Sequence, residues 1–218
     1  MKILVTGANG YLGQGIVTSI LNYGHEVIAT GIETNYVDDR AEKINCDLFS
    51  IENPYEFFGK PDILLHLAWR DGFVHYSDTH IEDLPKHYLF IKKMIEGGVK
   101  HVAGMGSMHE IGFFEGSINE NTPCNPVTPY GISKNALREA TAMLCKKNGV
   151  VFQWMRGYYI VGNSERGCSI FSKITTAVNQ GKKDFPFTMG QNQYDFINYG
   201  DFCTQVATVV NQSEINGI

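Results

Sequence analysis

An open sheet of parallel strands with helices on both faces is the fold class that this chain predicts, and three observations predict it. Short apolar runs of strand length recur at residues 2–6, 26–31, 62–68, 101–106 and 150–155. Between them lie stretches with helical spacing, such as Ile16, Val17, Ile20 and Leu21, or Ile132, Ala136, Leu137, Ala140 and Leu144. The runs are apolar throughout, without in–out alternation, as strands covered on both faces require.

The first run stops at Gly7, and Gly7, Gly10 and Gly13 follow at three-residue steps before the first helix. Strand, glycine turn and helix in that order present backbone N–H groups and a helix dipole to a phosphate. Side chains at those positions would block the turn or the approach of a pyrophosphate. The spacing G-x-x-G-x-x-G differs from the G-x-G-x-x-G commoner in Rossmann proteins. A tight βα turn is the plain alternative, and the strand before and apolar helix behind favour dinucleotide binding.

Gly24-His25 turns the chain into the second strand, whose end is where such folds read the adenosine ribose. An acid there binds the 2′-hydroxyl of NAD, and a base accepts the 2′-phosphate of NADP. Gly31, Glu33 and Arg40 leave the choice open, with Glu33 leaning it towards NAD. Residues 34–43 read as a surface loop. Residues 43–48 predict a short third strand, with Asp47 either beside the adenine or capping a turn. Residues 53–58, with Pro54 early, suggest a short helix. The strand at 62–68 ends in His66-Leu67-Ala68, which should line the cofactor groove, His66 as a contact only. Residues 69–79 are aromatic and polar and form a loop on the same rim, followed by a helix over 79–97 despite Pro85.

The strand at 101–106 ends at Ser107. Residues 108–128 form a long loop rich in Gly, Asn and Pro, and such loops are usually functional. A helix then runs from Pro129 to about Lys147, followed by the strand at 150–155. Beyond Arg156 the pattern changes to a turn-rich loop at 162–167, a helix over 169–179, short extended pieces within 184–198 and a helix over 200–211. Residues 215–218 read as the approach to another strand. The division expected is a dinucleotide-binding domain over 1–160, with a partial substrate lobe over 161–218 interleaved with it.

Tyr130 and Lys134 stand four apart and share a helix face, while Ser107 ends the preceding strand. Carboxyl ends of strands form the ligand crevice in such sheets, so the three can converge. A phenol titrating near ~10 is a poor base at neutrality. An adjacent ammonium and a positive nicotinamide ring favour phenolate and lower that value. Tyr130 could then exchange a proton with a substrate hydroxyl as hydride moves, with Ser107 holding the same oxygen. Taken singly, Tyr130 reads equally as a helix-face tyrosine and Lys134 as a solvated charge.

Bulk properties exclude other classes. The 218 residues carry a formal charge of −5, with 43% hydrophobic and 19% charged residues, which offers no basic footprint for nucleic acid. No apolar run reaches membrane-span length, and the immediate entry into a strand leaves no room for a signal peptide. Five scattered cysteines suggest reduced thiols in a cytoplasmic protein, and seven histidines show no metal-ligand spacing.

TGANGYLG at 6–13, HLA at 66–68, Ser107, YGISK at 130–134 and YDFINYGD at 194–201 together resemble the extended short-chain dehydrogenase/reductases, the NAD-dependent epimerase/dehydratase branch that modifies nucleotide sugars. The resemblance covers essentially the whole chain. It implies that Gly7, Asn9, Gly10, Tyr11, Leu12 and Gly13 cradle the pyrophosphate. Asp47 and Leu48 would touch adenine, Leu67 and Ala68 the ribose region, and Tyr158 and Ile160 the nicotinamide side. Ser107, Tyr130 and Lys134 would be catalytic, Tyr130 and Lys134 also meeting the cofactor, NAD or NADP, and a homodimer would form through the helix that holds Tyr130. Dehydratases of this branch carry Asp-Glu after the catalytic Ser or Thr, whereas Met108 and His109 stand here, which argues against dehydration. Tyr194 replaces an arginine that in relatives often pairs with substrate phosphate, and members usually run about 100 residues longer, so either the substrate lobe is reduced or the sequence is a truncated one. The expected activity is that of an epimerase or reductase on a nucleotide-activated hexose, narrowly a 4-keto-6-deoxyhexose reductase. A dinucleotide-binding module without turnover is the alternative class.

Overall fold

The computed structural model describes residues 1–162, 167, 169–187, 189–191 and 193–218. Six parallel strands form one sheet: β1 (Lys2–Thr6), β2 (Glu26–Gly31), β3 (Glu42–Asn45), β4 (Ile63–His66), β5 (His101–Ser107) and β6 (Val151–Gly157). Their order is β3-β2-β1-β4-β5-β6. Successive strands step outward from β1 in one direction, and then β4 begins again on its other side. The reversal opens a crevice beyond the carboxyl ends of β1 and β4.

Side chains alternate across the sheet, and both faces are apolar because both are covered. Ile3, Val5, Val27, Ala29, Ile63 and Leu65 pack with Ile16 and Val17 of helix α1 (Tyr11–Asn22) and with Phe202 and Val206 of α6 (Tyr199–Val210). Leu4, Ile28, Leu64, Val102 and Phe152 face the other way, onto Phe90, Ile91 and Met94 of α3 (Thr79–Gly97) and Leu137 of α4 (Pro129–Asn148). Period-two strands between two helix layers account for the uniformly apolar runs.

The doubly wound Rossmann-type sheet is the predicted one, with local differences. β3 stops at Asn45, and Leu48–Ser50 is a turn of 3₁₀ helix rather than the strand's end. Asp47 causes the break: its carboxylate accepts the Phe49 N–H at 3.0 Å, a cap that an extended backbone cannot make. The short helix α2 is Pro54–Phe57. Most of the described residues within 184–198 form no strand. The extended piece there, β8 (Phe196–Asn198), pairs in parallel with an unforeseen β7 (Tyr159–Val161) in a second small sheet. Helix α5 (Ile170–Asn179) starts at Ser169, whose side chain accepts the Ser172 N–H. Most of the loop expected at 162–167 lies outside the described residues. At the C-terminus Gly217 bridges Gln153 in parallel, the start of a further rung beside β6.

No described helix is long and apolar enough to cross a membrane. Cys46, Cys124, Cys145 and Cys203 are free thiols, and Cys168 lies outside the described residues.

Candidate active site

The turn after β1 is built so closely that side chains are excluded from it. Gly7 has φ +67°, and a Cβ there would lie 2.7 Å from the N and Cα atoms of Ala68. A Cβ on Gly13 would collide with the carbonyl oxygens of Gly7 and Ala8. Gly10 is the N-cap of α1; no side chain caps it and no acid stands in the first turn. A bare helix N-terminus over a cradle that a Cβ would fill suits a pyrophosphate. Leu12, Leu67 and Ile160 are partly buried and each packs against the core on the α1 side of the sheet.

Tyr199, which the sequence did not single out, supports this turn from α6. Its hydroxyl accepts the Gly15 N–H at 2.9 Å and donates to the Tyr11 carbonyl at 2.7 Å. Gly15 is tightly placed as well, because a Cβ there would lie 2.7 Å from Tyr199 and from Cys203 Sγ. The Tyr11 hydroxyl donates to the Gly162 carbonyl at 3.0 Å, and burial pushes its pKa up.

At the far end of the crevice Asn9 Oδ1 accepts the Tyr36 N–H at 2.8 Å, tying the turn to the loop after β2. Glu33 is exposed there. Arg40 points elsewhere: its guanidinium bonds Asp38 at 2.7 Å and Asn22 at 3.0 Å. Asn22 ends α1, about 16 Å along the helix from the glycine turn. Asp47 and the buried Leu48 border a cavity of about 360 Å³ with Lys86, Leu89 and Lys93 of α3. The Asp47 carboxylate is a cap here, which is one of its two sequence readings.

Ser107, Tyr130 and Lys134 do come together. Thr128 caps α4 by accepting the Gly131 N–H at 3.1 Å, and Pro129 opens its first turn, which brings Tyr130 under the loop after β4. There the Tyr130 N–H donates to the His75 carbonyl at 3.1 Å. Ser107 also caps: its hydroxyl accepts the His109 N–H at 3.3 Å, and its own N–H donates to Glu110 at 2.9 Å. Burial raises the phenol's pKa, the Ser107 hydroxyl pulls it down, and the Glu110 charge pushes it up. The lowering expected from Lys134 and a positive nicotinamide ring belongs to the cofactor-bound protein. The lysine's Nζ lies 6.0 Å from the ring centre and donates to the Met105 carbonyl at 2.8 Å. Lys134 is 4% exposed, and burial draws its pKa down to about 7. Its charge is thus in balance near neutrality.

Around Tyr130 stands a cage of rings: His75 stacked at 5.2 Å and 22°, His80 at 5.2 Å, His109 at 5.6 Å and Trp69 at 6.1 Å edge-on. The His75 and His109 ring centres are 3.9 Å apart, and burial lowers the pKa of both, His109 to about 4. His66 is buried as a link, bonded to Thr6 Oγ1 at 2.9 Å and to His87 at 2.8 Å. The sequence signal for the cage was a density of His and aromatic residues between 66 and 87. Among the described residues no group of three His, Cys, Asp or Glu side chains is placed to hold a metal ion. Tyr158 follows β6; burial raises its pKa, and the Arg156 charge opposes that.

The family described as NAD dependent epimerase/dehydratase matches residues 3–217. A dTDP-6-deoxy-L-talose 4-dehydrogenase (NAD(+)) from Aggregatibacter actinomycetemcomitans is 40% identical over 94% of this chain and 78% of its own length. A UDP-N-acetylglucosamine 4-epimerase from Methanobrevibacter ruminantium M1 superposes with a TM-score of 0.86 at 16% identity, over 99% of this chain and 74% of that one. A UDP-glucuronic acid 4-epimerase from Bacillus cereus, solved with NAD, gives 0.82 at 18% identity, over 100% and 76%. These two structures are similar in fold.

Proposed function

The chain belongs to the NAD dependent epimerase/dehydratase family, and from that premise we propose that it exchanges a hydride between NAD and C4 of a nucleotide-activated 6-deoxyhexose. The observation that carries this reading is the meeting of Ser107 and Lys134 at Tyr130. The 40% identical talose dehydrogenase supports the sugar class and the carbon. In this reading the Gly7–Gly13 cradle holds the pyrophosphate. Glu33 takes the ribose 2′-hydroxyl, with Arg40 engaged by Asp38 and unavailable to a 2′-phosphate. Asp47 and Leu48 border the adenine, Leu67 and Ala68 the riboses, and Tyr158 and Ile160 the nicotinamide. The bound cofactor supplies or accepts the hydride.

Tyr130 exchanges the proton on the C4 oxygen, and Ser107 holds that oxygen by hydrogen bond. Lys134, when charged, favours the phenolate. Dehydration is disfavoured, because Met108 stands at one of the two positions that carry its acid and base and cannot transfer a proton. Residues 161–218 serve as the substrate side of the cleft, and Tyr194 from that segment pairs with Tyr159 of β7 at 4.2 Å. A homodimer through α3 and α4 accompanies this reading, with Ile81, Leu89, Ile132 and Met143 exposed on those helices.

Titration with NADH and NADPH by nicotinamide fluorescence, then turnover with NAD and dTDP-6-deoxy-L-talose, tests the proposal. Tyr130→Phe should cost ~10²–10⁴-fold in turnover and leave NADH binding unchanged. Turnover surviving in that variant would refute the mechanism, and no binding of either cofactor would refute the whole reading.

A further inference from the structure

We propose that Trp69 is the positioning residue for Lys134, its indole face holding the lysine's ammonium in place and keeping it charged. Lys134 Nζ lies 4.0 Å from the Trp69 ring centre. The His87 imidazole stacks flat on the same indole at 4.4 Å and 10°, so it fills one face and leaves the other to the ammonium. The ring is also locked in its plane. Its Nε1–H donates to His80 Nδ1 at 2.9 Å, so His80 carries its proton on Nε2, which donates to the Val74 carbonyl at 3.0 Å. His87 in turn is bonded to His66, and His66 to the Thr6 hydroxyl. That hydroxyl accepts the Leu67 and Ala68 N–H groups at 3.2 Å each, so the support runs unbroken to the glycine turn.

The surroundings explain why a π face is needed. Lys134 is faced by Tyr130 from its own helix, His66 from β4, His87 from α3 and Glu110 from the turn after β5. Both histidines are kept neutral by burial. The one anion, Glu110, is already bonded by Arg156 at 2.9 Å and by Trp154 at 3.0 Å. Glu110 still supports the ammonium through its charge, and the groups that touch the ammonium directly are the Met105 carbonyl at 2.8 Å and the indole face at 4.0 Å.

The link to turnover rests on the proposed role of Lys134, but the clamp itself can be read without substrate. With [ε-¹³C]lysine in the full chain, carbon-detected NMR follows Lys134 as the lysine that titrates near neutrality and is missing in Lys134→Met. Trp69→Phe keeps a ring face and should leave that midpoint within a few tenths of a pH unit. Trp69→Leu should lower it by about one unit. Tetrafluorotryptophan placed at 69 drains the π face without changing its shape, so it should lower the midpoint even if Trp69→Leu fails to fold. The limb of the kcat/KM pH profile that reports Lys134 should move with the midpoint. A midpoint that stays fixed or rises with fluorination overturns the proposal. A wild-type chain that shows the shifts and no turnover overturns the proposed reaction and leaves the clamp standing.

Discussion

Glu110 Oε2 accepts the Arg156 Nε–H at 2.9 Å, with the two side chains 0% and 5% exposed. The same carboxylate takes the Trp154 indole N–H and the backbone N–H of Ser107, and Arg138 Nε lies 3.7 Å away. A buried anion thus sets where Ser107 sits, from below. Glu110→Gln keeps the shape and removes the charge, stranding the Arg156 guanidinium, while Arg138 keeps Glu139 and Asn135. The expected loss is ~3–5 kcal/mol of stability, read as the shift in the urea midpoint. A change below ~1 kcal/mol would mean that Arg156 finds water.

Acid should destabilise the fold through its neutral histidines. Burial, with the charges of Lys134 and Lys86, lowers the pKa of His87 to about 3 from 6.5. The unfolded chain therefore binds the proton first, and the stability present above pH 6.5 is lost as pH falls towards 3. His87→Gln keeps an acceptor for His66 and removes this titration. The slope of stability against pH between 6.5 and 4.5 should flatten by up to ~1.4 kcal/mol per pH unit. Parallel slopes in the two proteins would show that His87 does not contribute.

The Tyr199 hydroxyl joins the Gly15 N–H and the Tyr11 carbonyl across 184 or more positions of sequence. Tyr199→Phe removes the hydroxyl that bridges these two groups, which stand four apart in α1, at a cost of up to ~1–3 kcal/mol if the helix does not close on itself there. Thermal melting should show the loss. NADH affinity should weaken with it, because the groups released border the glycine cradle. An unchanged affinity would mean that the turn holds its shape without α6.

Cofactor choice should follow Glu33. Glu33→Ala is expected to weaken NADH about tenfold, the worth of ~1.4 kcal/mol, and to leave NADPH unchanged. Arg40→Ala should change neither, because its guanidinium is held by Asp38 and Asn22. Fluorescence titration of both variants with both cofactors decides it. Loss of NADPH affinity in Arg40→Ala would show that Asp38 releases the arginine on binding.

The strands and long helices were legible because their signals are local. Two-sided burial makes a run uniformly apolar, and Thr128-Pro129 announces the start of α4. The glycine turn was legible because close approach leaves only one residue type available. The short elements were not: β7 and β8 have three residues each, too few for a period, and exist only as each other's partner. Asp47 could be read as a cap or a contact, since both need the same carboxylate in the same place along the chain.

The sequence by itself determined the layered parallel sheet, the glycine cradle and the Tyr130–Lys134 pair, since each depends on neighbours within one or two helical turns. Only the tertiary structure decided the surroundings of that pair. His75, His80 and Trp69 reach Tyr130 from one crossover, His109 from another, and Tyr199 reaches the glycine turn from the last helix. Such contacts depend on strand order, and so do the burial and charge they impose. The burial and the Glu110 charge that raise the phenol's pKa here are decided in that way.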